Sequence, residues 1–215
     1  WRTGGANLNV YYLDFGNAIV WAGGLDNNGD PVTANGAVTE HKGVELDLEW
    51  APRPRWNARL SLAWADNTIV EFVENIWGGG SMDHSGNALP VSPEWLGTLE
   101  LCGGAGPVDG FLRLRLVDDF FLDNTEDMRK YPEISSDPDY VHRVNEAYTS
   151  LDLGLETDLG RAAADFVGAR RIGLRARVNN LADNLYTTFG YFDGDEPVWI
   201  PAATRSAYLG LTFDW

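Results

Sequence analysis

Tyr208-Leu209-Gly210-Leu211-Thr212-Phe213-Asp214-Trp215, the last eight residues, decide how the rest of the chain is read. Leu209, Leu211, Phe213 and Trp215 fall on one side of an extended backbone, and Tyr208, Gly210, Thr212 and Asp214 on the other. Successive side chains of a strand point to opposite faces, so this period of two predicts a strand with one apolar and one polar face. The apolar set ends on a tryptophan in full register. A soluble β-domain gains little by exposing that indole, whereas a membrane interface favours an aromatic ring there.

Upstream the alternation recurs. In residues 43–50, Val44, Leu46, Leu48 and Trp50 oppose Gly43, Glu45, Asp47 and Glu49. In residues 58–64, Leu60, Leu62 and Trp64 oppose Arg59, Ser61 and Ala63. Leu112, Leu114 and Leu116 oppose Arg113 and Arg115. Leu151, Leu153 and Leu155 oppose Ser150, Asp152, Gly154 and Glu156. Ile172, Leu174, Ala176 and Val178 oppose Arg171, Gly173, Arg175 and Arg177. Adding weaker stretches at 7–20 and 92–102 and the final strand at 201–215, the pattern predicts about eight strands. Each is one-sided, and a one-sided strand needs a second layer over its apolar face. The one helix-like stretch, residues 161–166, is too short to supply it. Lipid or a second packed sheet remain as covers. Leucine on one side and charges of both signs on the other favour lipid.

At 215 residues the chain is long enough for one sizeable domain. It contains no run of about 18 apolar residues, which excludes transmembrane helices but not strands, since a barrel strand needs only about 9–11 residues. Nine Trp, eight Tyr, nine Phe and 24 Gly suit a barrel or a lectin-like sandwich. A net charge of −16 argues against nucleic acid, because no basic stripe offsets phosphate repulsion. Cys102, the single cysteine, allows no internal disulfide. The chain begins Trp1-Arg2-Thr3-Gly4-Gly5, so it starts at a mature terminus or is a piece of something larger. The connections alternate in length. Residues 21–35, 73–91, 127–143 and 191–199 read as long polar loops, while Ala51-Pro52-Arg53-Pro54 and residues 102–109 are tight. Residues 157–170 are a longer exception on the short side. Short turns on one side and long loops on the other is the outer-membrane barrel pattern.

The final strand resembles the carboxy-terminal assembly signal of bacterial outer-membrane barrels, with Tyr208, Gly210, Phe213 and Trp215 at its marked positions. Three further segments resemble the TonB-dependent outer-membrane receptors. Val178-Asn179-Asn180-Leu181-Ala182-Asp183-Asn184-Leu185-Tyr186 is similar to that family's N-N-L-F-D-x-x-Y segment, with Ala182 where an aromatic is commoner. Pro201-Ala202-Ala203-Thr204-Arg205 is similar to its P-x-x-R entry into the last strand, and residues 35–47 to its A-x-x-x-G-x-E strand. The Asn179-Asn180 pair makes sense as a local side-chain-to-backbone cluster at mid-strand, with Asp183 capping a bulge or bend.

The resemblance implies an all-β, antiparallel transmembrane barrel portion of about eight strands, the last of about 22 closed around a plug. Residues 1–215 are then a carboxy-terminal segment, with the plug and the amino-terminal strands outside it. It implies TonB-dependent import of a scarce large solute across the Gram-negative outer membrane, a ferric siderophore or similar iron complex first, with cobalamin, haem and oligosaccharides open. The implied partners are outer-membrane lipid, the TonB energy-transducing complex, the barrel-assembly machinery and a small-molecule substrate. Two other readings stay open: a self-contained eight-stranded barrel with a structural or adhesion role, and a soluble carbohydrate-binding β-sandwich.

No catalytic pattern stands out, so a non-enzyme without cofactor or resident metal is expected. His41, His84 and His142 lack metal-ligand spacing, and the adjacent Asp83-His84-Ser85 cannot form a triad. Asp26-Asn27-Asn28-Gly29-Asp30 lacks the twelfth-position Glu of a calcium loop and reads as a solvated turn. Ligand contacts are expected at the extracellular mouth, from Trp77, Tyr131, Tyr140, Tyr191, Phe192 and Trp199. Arg113, Arg115, Arg175 and Arg177 on the lumen face have two roles open: attracting an anionic ferric complex, or pairing with Glu45, Asp47, Glu49, Asp152 and Glu156.

Overall fold

The apolar rows line up across strand after strand. The computed structural model describes residues 3–25, 31–75, 80–126, 136, 138–193 and 196–215. Its strands begin with β1 (Gly4–Leu25), β2 (Pro31–Arg53), β3 (Trp56–Glu71), β4 (Val73–Asn75) and β5 (Ser81–Asp83). They continue with β6 (Trp95–Ala105), β7 (Val108–Val117), β8 (Phe120–Phe121), β9 (Val144–Asn145) and β10 (Tyr148–Asp158). After helix α1 (Arg161–Val167) come β11 (Arg171–Asn179), β12 (Thr187–Asp193), β13 (Glu196–Pro201) and β14 (Ser206–Asp214).

Eight of these form one sheet in the order β1-β2-β3-β6-β7-β10-β11-β14, every neighbour antiparallel. Leu48 opposes Leu60, then Leu99, Leu114 and Leu151. One step toward the tight turns, Trp50, Ala58, Leu101, Leu112, Leu153, Val178 and Ala207 form a second row, which spans seven strands. On the opposite face the intervening row reads Glu49, Arg59, Glu100, Arg113 and Asp152. Because the side-chain period is two, a one-residue slip would exchange these faces, so the Leu pattern fixes the register.

No protein layer covers the Leu rows among the described residues. Leu112, Leu114 and Leu116 are 36–41% exposed and Leu209 is 76% exposed. An aliphatic face this large is stable only when something apolar covers it. That arrangement is a barrel wall, not a soluble sandwich, in which a second sheet would bury these leucines. β1 and β14 are the two edges of the sheet. A self-contained eight-stranded barrel would need those two strands to pair, so that alternative does not describe this structure.

The buried clusters lie at the ends of the strands. Val20, Ala37, Ile69 and Phe72 pack together at one end, with Phe120 and Leu122 beside Phe189 and Trp199. Ala164, Ala169 and Ile172 fill the turn that contains α1, which ends at Gly168 in the left-handed conformation (φ 75). The tight turns share the α1 end. Arg55, between β2 and β3, reaches Asp109 and the carbonyls of Gly106 and Val108, tying that turn to the next.

The long connections differ from expectation. Much of 21–35 and 191–199 is strand, since β1 runs to Leu25, β2 begins at Pro31 and β12–β13 is a hairpin, while the described part of 73–91 contains only the short hairpin β4–β5. The ends of β1 and β2 continue the wall, whereas β4–β5 and β12–β13 are separate two-stranded sheets. No lipid imposes an apolar face on them, so they lack the alternation that marks the wall strands. Asp26-Asn27-Asn28-Gly29-Asp30 lies outside the described residues.

Candidate functional site

Two regions carry chemistry: the charged inner face and a cleft at the long-hairpin end. On the inner face the strand period aims alternate side chains inward, and cross-strand register sets who meets whom. Arg113 pairs with Glu100 at 2.5 Å, and Arg59 links Glu100 at 3.9 Å to Glu49 at 3.4 Å. Asp152, 4% exposed, pairs with Arg115 at 3.2 Å and Arg177 at 3.6 Å and accepts the backbone N–H of Asn180 at 3.1 Å. Arg175 pairs with Glu156 at 3.1 Å. Glu45 accepts from the Asn9 amide at 3.0 Å and Asp47 from the Ser61 hydroxyl at 2.7 Å. All four arginines singled out in the sequence are therefore carboxylate-paired. Arg113 and Arg177 also lie over the Phe111 ring, 5.4 and 5.7 Å from its centroid. Glu100 was not foreseen as a partner. Its signal was the direct opposition of residues 100 and 113, visible only once register is known.

The cleft lies between residues 140–146 and the β12–β13 hairpin. It has a volume of about 470 Å³ and is lined by Tyr140, Val141, His142, Val144, Glu146, Thr187 and Trp199. Tyr140 and His142 meet edge to face, 5.9 Å between ring centroids. Trp199 is half-buried, its indole against Gly190 and the Phe120–Leu122 cluster. Asn145 pins the two walls together, donating to the Thr187 carbonyl at 3.2 Å and accepting from the Thr187 hydroxyl at 2.8 Å. Tyr148 and Tyr186 stack at 4.3 Å. Of the expected mouth residues, Tyr140 and Trp199 share this cleft, while Tyr191 stands on β12 and does not line it. Phe192 belongs to β12 as backbone; Trp77 and Tyr131 lie outside the described residues. His142 and Glu146 were missed as lining residues, since nothing in their spacing sets them apart.

Residues 1–181 match the family described as TonB dependent receptor-like, beta-barrel. The chain belongs to the TonB-dependent receptor family. As in that family, it is an outer-membrane barrel wall. The fold agrees with the siderophore receptor PiuA from Acinetobacter baumannii at a TM-score of 0.70 and 18% identity, covering 99% of this chain and 26% of that one. Similar agreement holds for the ferric citrate transporter FecA (0.68, 20%, 97% and 28%). The ferric yersiniabactin uptake receptor FyuA from Yersinia pestis follows at 0.67 and 17%, covering 98% and 27%. No curated protein matches the sequence. The chain spans about a quarter of the length of these receptors.

Within this TonB-dependent receptor wall, the two motifs near the end of the chain meet. Asn180, 4% exposed at φ 50, donates to the carbonyls of Asn184 at 2.9 Å and Ala203 at 3.3 Å and accepts the Asn184 N–H at 3.0 Å. Asp183, at φ 58, takes the Arg205 backbone N–H at 2.8 Å. These residues shape the break between β11 and β12, so the Asn179-Asn180 pair lies at a strand end and not at mid-strand, where local side-chain bonds replace the ladder. Tyr208, Gly210, Phe213 and Trp215 stand on or just beyond edge strand β14, and Phe213 stacks on Trp215 at 6.3 Å. Elsewhere, His84 bonds Glu74 at 2.8 Å and stacks on Phe72, a buried packing role. Asp123 accepts the backbone N–H and hydroxyl of Thr125 and pairs with Arg143, which makes residues 123–125 a capped turn.

Proposed function

We propose that this chain is the carboxy-terminal wall and mouth of a TonB-driven importer, with a ferric siderophore or similar iron complex as cargo. The supporting observation is the conjunction of family membership with an open eight-stranded wall whose edges, β1 and β14, do not pair with each other. An unpaired edge is costly in lipid, because its backbone N–H and C=O groups find no water there. On this reading β1 joins the preceding strands of a larger barrel and β14 closes onto its first. The plug and the TonB-binding segment belong to the part outside residues 1–215. The terminal strand, through Phe213 and Trp215, engages the barrel-assembly machinery, and the Leu rows contact lipid. The solved receptors of similar fold whose names specify iron complexes support the cargo class.

The test is uptake. The complete coding frame is expressed in cells lacking their own iron receptors, with and without functional TonB, and supplied with a panel of labelled iron complexes. The reading expects accumulation of at least one complex that stops when TonB is removed. Accumulation indifferent to TonB, or none across the panel while the receptor is folded in the membrane, would overturn it.

A further inference from the structure

The cleft beside Trp199 contains aromatic and acidic side chains, and no Lys or Arg among the described residues that line it. Tyr140, His142 and Glu146 stand on one wall and Trp199 on the other. Arg143, next in the chain to His142, is engaged by Asp123. The adjoining stretches of the chain are acidic in sequence. Residues 118–147 hold nine Asp or Glu against three Lys or Arg, and residues 72–94 and 187–201 hold three acids each with no Lys or Arg. Farther down, Arg113, Arg115, Arg175 and Arg177 are each held by a carboxylate. An anion approaching this mouth meets a like-charged field before it reaches arginines that each already contact a carboxylate, Arg115 and Arg177 sharing Asp152. A cation meets the opposite field, which concentrates it at the surface, and ring faces that attract it directly.

Resting on the importer reading above, we propose that this cleft takes a net-positive solute with a flat unsaturated or apolar face, held by Tyr140 and Trp199 with Glu146 as counter-charge. Among iron complexes this selects cationic ones over the polyanionic kind.

The full-length receptor in detergent micelles is titrated with two probes that share one ring and differ in charge, phenyltrimethylammonium and benzenesulfonate. The proposal expects the cation to bind about fivefold or more tightly than the anion, with the preference shrinking as salt rises. Glu146→Gln reduces cation affinity about threefold, and Tyr140→Leu weakens it while the unfolding midpoint stays put. Equal or tighter anion binding, binding of neither probe, or cation binding unmoved by both substitutions overturns the proposal. A cell arm separates it from the parent reading, using a cationic ferric trishydroxamate against an anionic ferric triscatecholate. TonB-dependent uptake that favours the anion leaves import standing and removes the charge preference. Loss of TonB dependence for both removes import, while the titration still decides the cleft.

Discussion

Asp183 closes on Arg205, accepting its backbone N–H at 2.8 Å and its guanidinium at 3.4 Å. The two residues stand 22 positions apart, one on each side of the break that separates β11 and β14 from the β12–β13 hairpin. Asp183 and Asn180 both sit at positive φ, a region their short polar side chains tolerate by bonding locally. The clamp lets the wall strand stop at Asn179 and resume at Thr187, which sets the hairpin beside residues 140–146 and forms the cleft.

Asp183→Ala removes the acceptor and should cost about 1–2 kcal/mol. Arg205→Ala keeps the backbone donor and loses only a half-exposed ion pair, worth less than about 1 kcal/mol. Urea unfolding of the full-length receptor in micelles checks the ordering; equal losses would show that the ion pair, not the backbone contact, holds the break.

Asp152 is the other fixed point. Replacing it by Ala leaves the buried Asn180 N–H without its acceptor and Arg115 and Arg177 without their shared carboxylate, for a loss of about 2–3 kcal/mol. Asp152→Asn retains an acceptor and should lose about 1 kcal/mol. The same unfolding experiment distinguishes the two.

Gly154 faces Phe111 across the strand pair, and a Cβ there would overlap the aromatic ring. Moving the ring would disturb its contacts with the Arg113 and Arg177 guanidiniums over it. Gly154→Ala should destabilise by about 1–3 kcal/mol, and Phe111→Leu added to it should recover most of the loss. A double-substitution cycle that proves additive would contradict the contact.

The lipid face gives a sharper sign. Leu114→Arg puts a cation outward in the middle of the Leu rows and should cost about 2–4 kcal/mol in a bilayer. Ser61→Arg, on the inner face opposite Asp47 and Thr98, should cost far less. Folding titrations into lipid vesicles measure both.

The wall was legible because a membrane imposes period two on every strand that crosses it. The Leu sets at 46–48, 60–62, 112–116 and 151–155 are the rows of the sheet. Asn180 and Asp183 were legible as a local cluster because part of their chemistry is local, Asn180 bonding Asn184 on both sides of its amide. Their bonds to Asp152, Ala203 and Arg205 lie 22 to 28 positions away and were not legible. What the sequence hid was long-range. Glu100 meets Arg113, and Tyr140 meets Trp199 across a cleft, through pairings that no local pattern encodes. The extension of β1 and β2 and the β12–β13 hairpin were hidden too, since their packed residues, Val20, Ala37, Phe189 and Trp199 among them, are scattered contacts with protein that impose no alternation.

The most direct test of the barrel-wall account is spin-label accessibility along β7 in the full-length receptor, reconstituted in vesicles on a Cys102→Ala background. Labels are placed one at a time at Leu112, Arg113, Leu114, Arg115 and Leu116. The account predicts that a lipid-soluble relaxant such as oxygen reaches labels at 112, 114 and 116 strongly and those at 113 and 115 weakly. A profile without that alternation, or with the positions reversed, would contradict it.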